Sequence, residues 1–246
     1  MENYWLNRTE MLIGENSINN LKNSNIVIFG LGGVGSYVAE GIIRCGIGNI
    51  AIIDKDIVDI TNINRQLIAN TKTIGMPKVE VEKNRMQSIN PEINVLTIQE
   101  FVNKENIDEI MRRANSLTLK ARETDNSNLN IDYVIDAIDT VSSKLEIIKY
   151  CNKNNIKLIS CMGTGNKLDA SKFEITDIFN TSVCPLAKVI RKELKKLKID
   201  HLKVLYSKEE PIKNSSHVPA SISFVPSVAG LLIAGEVIRD LVLTFE

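Results

Sequence analysis

The chain has 246 residues, of which 43% are hydrophobic, and this is enough for one large α/β domain with a sizeable core. Thirty Lys and Arg residues balance thirty Asp and Glu residues, which excludes a protein that coats nucleic acid or anionic membrane through its overall charge. Four widely spaced cysteines without a C-x-x-C pair favour free thiols in a reducing cytoplasm and argue against a structural zinc site. The sequence predicts no signal peptide and no membrane span.

Short apolar runs alternate with segments of helical periodicity along the first 160 residues. This alternation predicts an α/β fold with a Rossmann-like, doubly wound and mainly parallel sheet. Ahead of the first strand, Thr9 is the predicted N-cap of a helix that continues to Leu21 across Gly14. The predicted strands are 26–29, 50–53, 95–98, 133–135 and 158–160, and the predicted helices between them are 34–45, 78–89, 107–114 and 142–154.

A polar stretch at 115–130, between the predicted helix at 107–114 and the predicted strand at 133–135, is predicted as a surface loop. Beyond the fifth strand the pattern is less regular. The later predictions are a strand at 173–178, a helix at 185–198 with Pro185 in its first turn, a short strand at 221–224 and a final apolar helix from Pro226. We expect a single domain over 1–246, with a nucleotide-binding core at 1–165 and a C-terminal α+β extension at 166–246 that packs on it and serves substrate or dimer contacts.

Glycines mark the first turn from strand to helix. Such glycines let the backbone approach phosphate oxygens beside the free N–H groups of a helix N-terminus. Asp54 follows the second strand, where a carboxylate can accept hydrogen bonds from ribose hydroxyls. These features predict an adenosine nucleotide and leave NAD and ATP both open; the glycines are Gly30, Gly32, Gly33 and Gly35.

Two cations follow the ribose-binding position. Arg65 lies in the series Asn62-Ile63-Asn64-Arg65-Gln66, and Lys78 follows Pro77 at the start of a predicted helix. Each cation alone is equally well explained as a solvated surface residue. Together they favour a triphosphate over NAD, because Arg holds phosphate oxygens bidentately and Lys acts as a compact point charge.

Two aspartates end the fourth strand. Asp139 lies beyond the carboxyl end of the strand, where a carboxylate can hold Mg²⁺ against phosphates. Its alternative role is the N-cap of the next helix. Asp136 is interpreted as the structural member of the pair.

These features occur in a fixed order: the glycine turn, Asp54, N-x-N-R-Q at 62–66, P-K-V-E at 77–80 and D-A-x-D at 136–139. The ordered set resembles the ThiF/MoeB/HesA group of the ubiquitin-activating-enzyme superfamily, whose members adenylate carboxylates with ATP and Mg²⁺. The resemblance covers residues 4–165. It implies that the cofactors are ATP and Mg²⁺.

The resemblance also implies roles for the matching residues. Asp54 would bind ribose, and Arg65 and Lys78 would hold the phosphates, with Asn62 and Gln66 in the same part of the nucleotide site. Asp139 would coordinate Mg²⁺. The catalytic set would be completed by Arg8, which resembles an arginine that the family donates across a homodimer interface into the neighbouring subunit's site.

Further matches at 8–14, 61–67, 88–91 and 223–230 are similar to the tRNA threonylcarbamoyladenosine dehydratases. This similarity implies a tRNA substrate carrying threonylcarbamoyladenosine, whose threonyl carboxylate is adenylated and then cyclises. Adenylation of the C-terminus of a ubiquitin-like or sulfur-carrier protein is the alternative. An NAD-dependent oxidoreductase or a non-catalytic nucleotide-binding module is a third hypothesis. The sequence does not decide whether a sulfur- or electron-transfer partner is needed, or whether a monovalent cation binds near 163–166.

The remaining reactive side chains fall outside these motifs. Cys161 and Cys184 are interpreted as structural thiols, because no histidine lies near either in sequence. His201 and His217 are interpreted as surface residues. The predicted helix at 185–198 carries six basic residues and one acidic residue, and this charge is either a solvated face or a docking strip for tRNA phosphates.

Overall fold

The fold is built on one seven-stranded sheet. A computed structural model describes residues 5–119, 131–213 and 218–242. The strands lie in the order β3-β2-β1-β4-β5-β7-β6, and all neighbours are parallel except β7 and β6. The predicted doubly wound, mainly parallel sheet is therefore confirmed; its strands are β1 Asn25–Phe29, β2 Asn49–Ile53, β3 Asn94–Ile98, β4 Tyr133–Asp136, β5 Leu158–Cys161, β6 Phe173–Asp177 and β7 Lys203–Ser207.

Helices cover both faces of this sheet. Ile26 and Ile28 of β1 pack into a core with α3 and α8, whereas Val27 and Phe29 pack against α5 and α6 on the other face. Because both faces of the strand are buried, its sequence is continuously apolar. The helices are α1 Asn7–Ile13, α2 Glu15–Asn23, α3 Gly35–Arg44, α4 Lys78–Ile89, α5 Ile107–Leu119, α6 Val141–Asn154, α7 Pro185–Leu197 and α8 Phe224–Val242.

The order of the strands creates a crevice at one end of the sheet. From β1 the sheet grows through β2 and β3 to one side and through β4 and β5 to the other. The loops after β1 and β4 therefore diverge at the carboxyl ends of neighbouring strands, where open α/β sheets bind ligands. Among the described residues, no helix is long and apolar enough to cross a membrane.

The opening helix differs from its prediction. It is divided into α1 and α2 at Gly14, whose φ of +84° lies outside the helical region. The N-cap of α1 is Leu6, and Thr9 lies inside the helix, so the predicted cap is wrong. The helix propensity of the surrounding residues is not sufficient to continue the helix through a glycine with a positive φ.

Three other elements of the chain also differ from the prediction. Helix α5 continues to Leu119, past the predicted end at 114, and the part of the predicted loop at 120–130 lies outside the described residues. The predicted strand at 221–224 is wrong, since α8 begins at Phe224 and no strand precedes it there. Strand β7 was not predicted, because its burial comes from distant partners, β5 and β6.

Candidate nucleotide site

A cavity of about 340 Å³ opens at the carboxyl ends of β1, β2 and β4. Its walls come from the turn after β1, from the ends of β2 and β4, from the segment before α4 and from the start of α8. The structure brings most of the predicted site residues into this one cavity; those that line it are Gly30, Gly32, Gly33, Asp54, Asn62, Arg65, Gln66, Lys78 and Asp139.

The glycines of this turn have two different structural roles. A Cβ on Gly35 would lie 1.8 Å from the carbonyl oxygen of Gly30, so the turn closes on itself too tightly for a side chain. Gly30 has a φ of +88° and packs against the backbone of Ala137. Gly32, in contrast, has nothing within 4 Å of its Cβ position, and its backbone faces open space in the cavity wall. Gly35 does not line the cavity and serves the packing of the turn.

Asp54 ties the end of β2 to the glycine turn. Its Oδ2 accepts a hydrogen bond from the backbone N–H of Leu31 at 2.6 Å, and its Oδ1 accepts one from Asp56 at 2.8 Å. Burial raises the pKa of the Asp54 carboxyl above its ordinary value, and the positive charge of Lys78 opposes that shift. The carboxylate is thus held in a fixed orientation at the cavity wall.

Lys78 is almost completely buried at the N-terminus of α4. Its Nζ lies 3.0 Å from Oδ2 of Asp56, and its backbone N–H donates to the Asp56 carbonyl at 3.0 Å. Asp56 was missed in the sequence, although it stands two residues after Asp54 at the end of a strand. The ion pair and the burial together keep the Lys78 ammonium group at the cavity wall. A flexible lysine on the surface would not be restricted in this way.

The segment before α4 presents one arginine and two amides. Nη1 of Arg65 donates to the Thr61 carbonyl at 3.0 Å and to Asn64 Oδ1 at 2.9 Å, while Nε and Nη2 form no hydrogen bond within the described residues. Oδ1 of Asn62 accepts from the backbone N–H of Asp59, so this side chain caps the 3₁₀ turn at 60–62. Gln66 is buried, and its Oε1 has no hydrogen-bond partner in the described part of the chain.

The two aspartates after β4 have different surroundings. Asp139 is exposed at the cavity, and its one side-chain hydrogen bond within the described residues comes from the Thr140 hydroxyl at 3.3 Å. The N-cap position of α6 is Thr140, without a side-chain cap, so the alternative that Asp139 caps this helix is wrong. Asp136 is fully buried and paired with Lys144, which suits the structural role predicted for it.

The remaining predicted residues lie elsewhere. Arg8 is exposed on α1 and does not line the cavity. Cys161 and Cys184 are buried free thiols, and burial raises the pKa of Cys161 to about 12, which suits a structural role. Nδ1 of the exposed His201 lies 2.6 Å from Oδ2 of Asp177. His217 falls outside the described residues.

Other lining residues carry no motif that could have revealed them. Lys55 Nζ lies 5.0 Å from the ring centroid of Phe101, and both line the cavity at the carboxyl ends of β2 and β3. Ser221 also lines the cavity, and its carbonyl accepts a hydrogen bond from Asn64 Nδ2 at 3.1 Å. Lys55 and Phe101 could have been found only from their positions shortly after predicted strands. Ser221 lies too far from the other lining residues in the sequence for any local pattern to indicate it.

A sequence model described as the ThiF family matches residues 6–244. The chain belongs to the ThiF family. Among ThiF-family relatives, it is 39% identical to the tRNA threonylcarbamoyladenosine dehydratase of Bacillus subtilis, over 97% of this chain and 95% of that protein.

Two solved structures match this chain along nearly its whole length. Escherichia coli tRNA N6-threonylcarbamoyladenosine dehydratase in complex with ATP is 30% identical, with a TM-score of 0.85 over 97% of this chain and 93% of that chain. The same enzyme in complex with AMP is 31% identical, with a TM-score of 0.85 over 97% and 94%. Family membership thus argues against the hypothesis of an NAD-dependent oxidoreductase.

Proposed function

We propose that this protein is an ATP-dependent tRNA threonylcarbamoyladenosine dehydratase. The observation that carries the proposal is the convergence of Asp54, Arg65, Lys78 and Asp139 on one cavity at the switch point of the sheet. The similarity to the Bacillus subtilis dehydratase over almost the full length of both chains supports the choice of substrate. No observation in the site favours the alternative, a ubiquitin-like or sulfur-carrier protein.

The cavity suits ATP. The uncovered backbone at Gly32 and the N-terminus of α3 suit phosphate oxygens, and the anchored carboxylate of Asp54 suits the ribose hydroxyls. Arg65 keeps free guanidinium donors, and Lys78 supplies a buried positive charge. The unpartnered Oε1 of Gln66 is a buried acceptor that a bound nucleotide or its water could satisfy.

The residues also fit Mg²⁺. Magnesium prefers one or two carboxylates together with substrate oxygens and water. Asp139 offers a carboxylate at the cavity that is not engaged in helix capping or in an ion pair with a described residue. We assign Asp139 as the magnesium ligand, and the ion would draw charge from the phosphates as pyrophosphate leaves.

The proposed reaction has two steps. A carboxylate oxygen of the threonylcarbamoyl group attacks the α-phosphorus of ATP, and pyrophosphate leaves. A nucleophile in the same modified nucleoside then attacks the activated acyl carbon, and AMP leaves with that carboxylate oxygen. Because the nucleophile is already held beside the acyl carbon, its effective molarity is large, on the order of 10⁵ M or more in favourable cases.

This balance requires no nucleophile from the protein and no redox step. The burial of Cys161 and Cys184 agrees with that requirement. A sulfur- or electron-transfer partner is therefore unnecessary for the chemistry. The task of the site is to bind ATP, to orient the carboxylate and to stabilise the charge that develops on the departing pyrophosphate.

We further propose a cytoplasmic homodimer. Arg8 is exposed and lies outside its own chain's cavity lining, as suits a residue that acts in the partner's site. We assign 1–165 to nucleotide binding and 166–246 to substrate and dimer contacts. In support of a substrate role for the extension, its residues Ser221 and Pro226 line the cavity together with residues of the core.

Incubation with Mg-ATP and tRNA that carries threonylcarbamoyladenosine tests the proposal. The tRNA is digested, and the nucleosides are weighed by mass spectrometry. We expect loss of one water from the modified nucleoside, with AMP and pyrophosphate as products, and no change with NAD or without nucleotide. An unchanged nucleoside, together with ATP–pyrophosphate exchange that requires a carrier protein with a C-terminal glycine, would favour the alternative substrate.

A further inference from the structure

Helix α7 carries a row of lysines on the face that points away from the core. Ala187, Ile190 and Leu194 pack inward against β7 and α6. Lys188, Lys192 and Lys195, which we call the basic face of α7, are exposed on the opposite side. Their spacing of four and three residues places them one above another along the helix.

These lysines lack partners, in contrast to several other lysines of the C-terminal extension. No ammonium group of the basic face forms an ion pair or hydrogen bond with a described residue. Three other lysines of the extension have their charges balanced locally by carboxylates; Lys172 pairs with Asp169, Lys203 with Glu236 and Asp240, and Lys208 with Glu174.

Glu193 does not neutralise the basic face. This one acidic residue of α7 forms an ion pair with Lys196 at 2.7 Å. Arg191 is held by the Thr181 carbonyl and hydroxyl at the beginning of the helix. The three lysines of the basic face therefore remain as a patch of uncompensated positive charge on a molecule whose formal net charge is zero.

The orientation of α7 connects this patch to the nucleotide cavity. Cys184, directly before the helix, lies beside Gly163 in the loop after β5, and Thr164 of that loop lines the cavity. At the other end, Ile199 lies with Tyr133 and Leu158 at the starts of β4 and β5. The helix thus runs from the crevice, at the carboxyl ends of the strands, towards the end of the sheet where β4 and β5 begin. The row from Lys188 to Lys195 extends about 10 Å along it.

We propose that the basic face of α7 binds the phosphate backbone of the tRNA substrate and guides it to the cavity. This inference rests on the proposed function. Unpaired, exposed ammonium groups suit a polyanion because binding releases condensed counterions, and each contacted phosphate adds to the salt dependence of binding. The lysines carry no information on base sequence, so they position the tRNA and leave recognition of the modified nucleoside to the cavity.

The test compares two triple variants of equal charge. The first changes Lys188, Lys192 and Lys195 to Gln. The control changes Lys72, Lys104 and Lys153 to Gln, which are exposed on three other parts of the surface. For each protein, the dissociation constant of the tRNA is measured over a range of salt concentrations, and ATP binding is measured alone.

We expect the α7 variant to bind tRNA at least tenfold more weakly at low salt and to lose about two to three units of the salt slope, near one unit for each phosphate contact. ATP binding stays unchanged in both variants, and the control keeps most of the wild-type salt slope. Equal slopes for the α7 variant and the wild type would overturn the inference.

The outcome is separable from that of the proposed function. If wild-type protein binds tRNA but never dehydrates the modified nucleoside, the proposed function fails while the docking result can still be read. If wild-type protein dehydrates the nucleoside and the α7 variant does so with unchanged KM for tRNA, the docking inference fails alone. If the α7 lysines affect binding of a protein partner and not of tRNA, the inference is also wrong.

Discussion

The ammonium of Lys144 lies 2.7 Å from Oδ2 of Asp136, and both side chains are fully buried. The Ser160 hydroxyl donates to the same oxygen at 2.6 Å, and Oδ1 accepts from the backbone N–H of Ile138 at 3.1 Å. This network joins α6, β4 and β5 beneath the loop that carries Asp139. A charge pair inside the fold thus anchors the backbone at Ile138, directly before the exposed Asp139.

Replacing Lys144 with Met should destabilise the fold strongly. The change leaves the Asp136 carboxylate buried without its counterion, and breaking such a pair typically costs about 3–5 kcal/mol. Chemical denaturation measures the free energy of unfolding. The double variant with Lys144→Met and Asp136→Asn should recover part of the loss, because the buried charge is then gone. A double variant less stable than the single one would contradict this account.

Glu82 makes stability depend on pH. It is fully buried on α4, neither carboxylate oxygen has a hydrogen-bond partner among the described residues, and burial together with the charge of Glu40 raises its pKa to about 8, against the lowering effect of Arg85. The unfolded chain releases this proton near pH 4.5, whereas the folded protein retains it up to about pH 8. This group's contribution is therefore fully present below about pH 4.5 and is lost as pH rises towards 8.

The variant Glu82→Gln tests this pH dependence. Gln has a similar shape and carries no charge, so we expect the free energy of unfolding at pH 8.5 to exceed that of the wild type by at least about 1.4 kcal/mol, the equivalent of one pKa unit. The advantage should shrink towards pH 5. The matched control is Glu92→Gln, at an exposed site. A gain that is the same at both pH values would show that proton linkage is not its cause.

Lys78→Ala should lower turnover while leaving the fold intact. Loss of a preorganised positive charge beside the phosphates is expected to reduce the rate by about 10²-fold or more. The partner left behind, Asp56, is half exposed, so water can solvate it. AMP release is the measurement, and Lys72→Ala, at an exposed position six residues earlier, is the control. If both variants turn over at the same rate, Lys78 has no role in the reaction.

Mixing two inactive variants tests the proposed role of Arg8. Asp139→Ala should abolish activity without unfolding the chain, since Asp139 is exposed and its side chain accepts one hydrogen bond, from the Thr140 hydroxyl, within the described residues. If Arg8 acts in the partner's site, Arg8→Ala and Asp139→Ala subunits form mixed dimers with one complete site, and partial activity returns. The comparison is each variant alone at the same total concentration. Mixtures that remain as inactive as their components would indicate that Arg8 does not act across an interface.

Local patterns were enough to predict the strands of the core and most of the cavity. The glycine turn, Asp54 and Lys78 each follow or precede a regular element at a short, characteristic distance, so their convergence follows from the topology of a parallel sheet. Gly14 shows the limit of such reasoning. Its left-handed φ divides a segment whose other residues favour one continuous helix.

Features that depend on distant pairing were not predictable. Strand β7 forms between β5 and β6, and its residues give no local alternation strong enough to identify it. The hydrogen bond between Asn64 and Ser221 joins residues 157 positions apart. Ser160 reaches the Lys144–Asp136 pair because β4 and β5 are neighbours in the sheet. These contacts depend on the assembled fold, and no short motif encodes them.

Transfer of oxygen-18 tests the central claim most directly, namely that the cavity adenylates a carboxylate of the tRNA. The tRNA is prepared with oxygen-18 in both carboxylate positions of the threonylcarbamoyl group and is incubated with the protein and Mg-ATP. Adenylation followed by cyclisation predicts one labelled oxygen in the AMP product and none in pyrophosphate. Dehydration that yields unlabelled AMP, or that places the label in inorganic phosphate alongside ADP, would contradict the account.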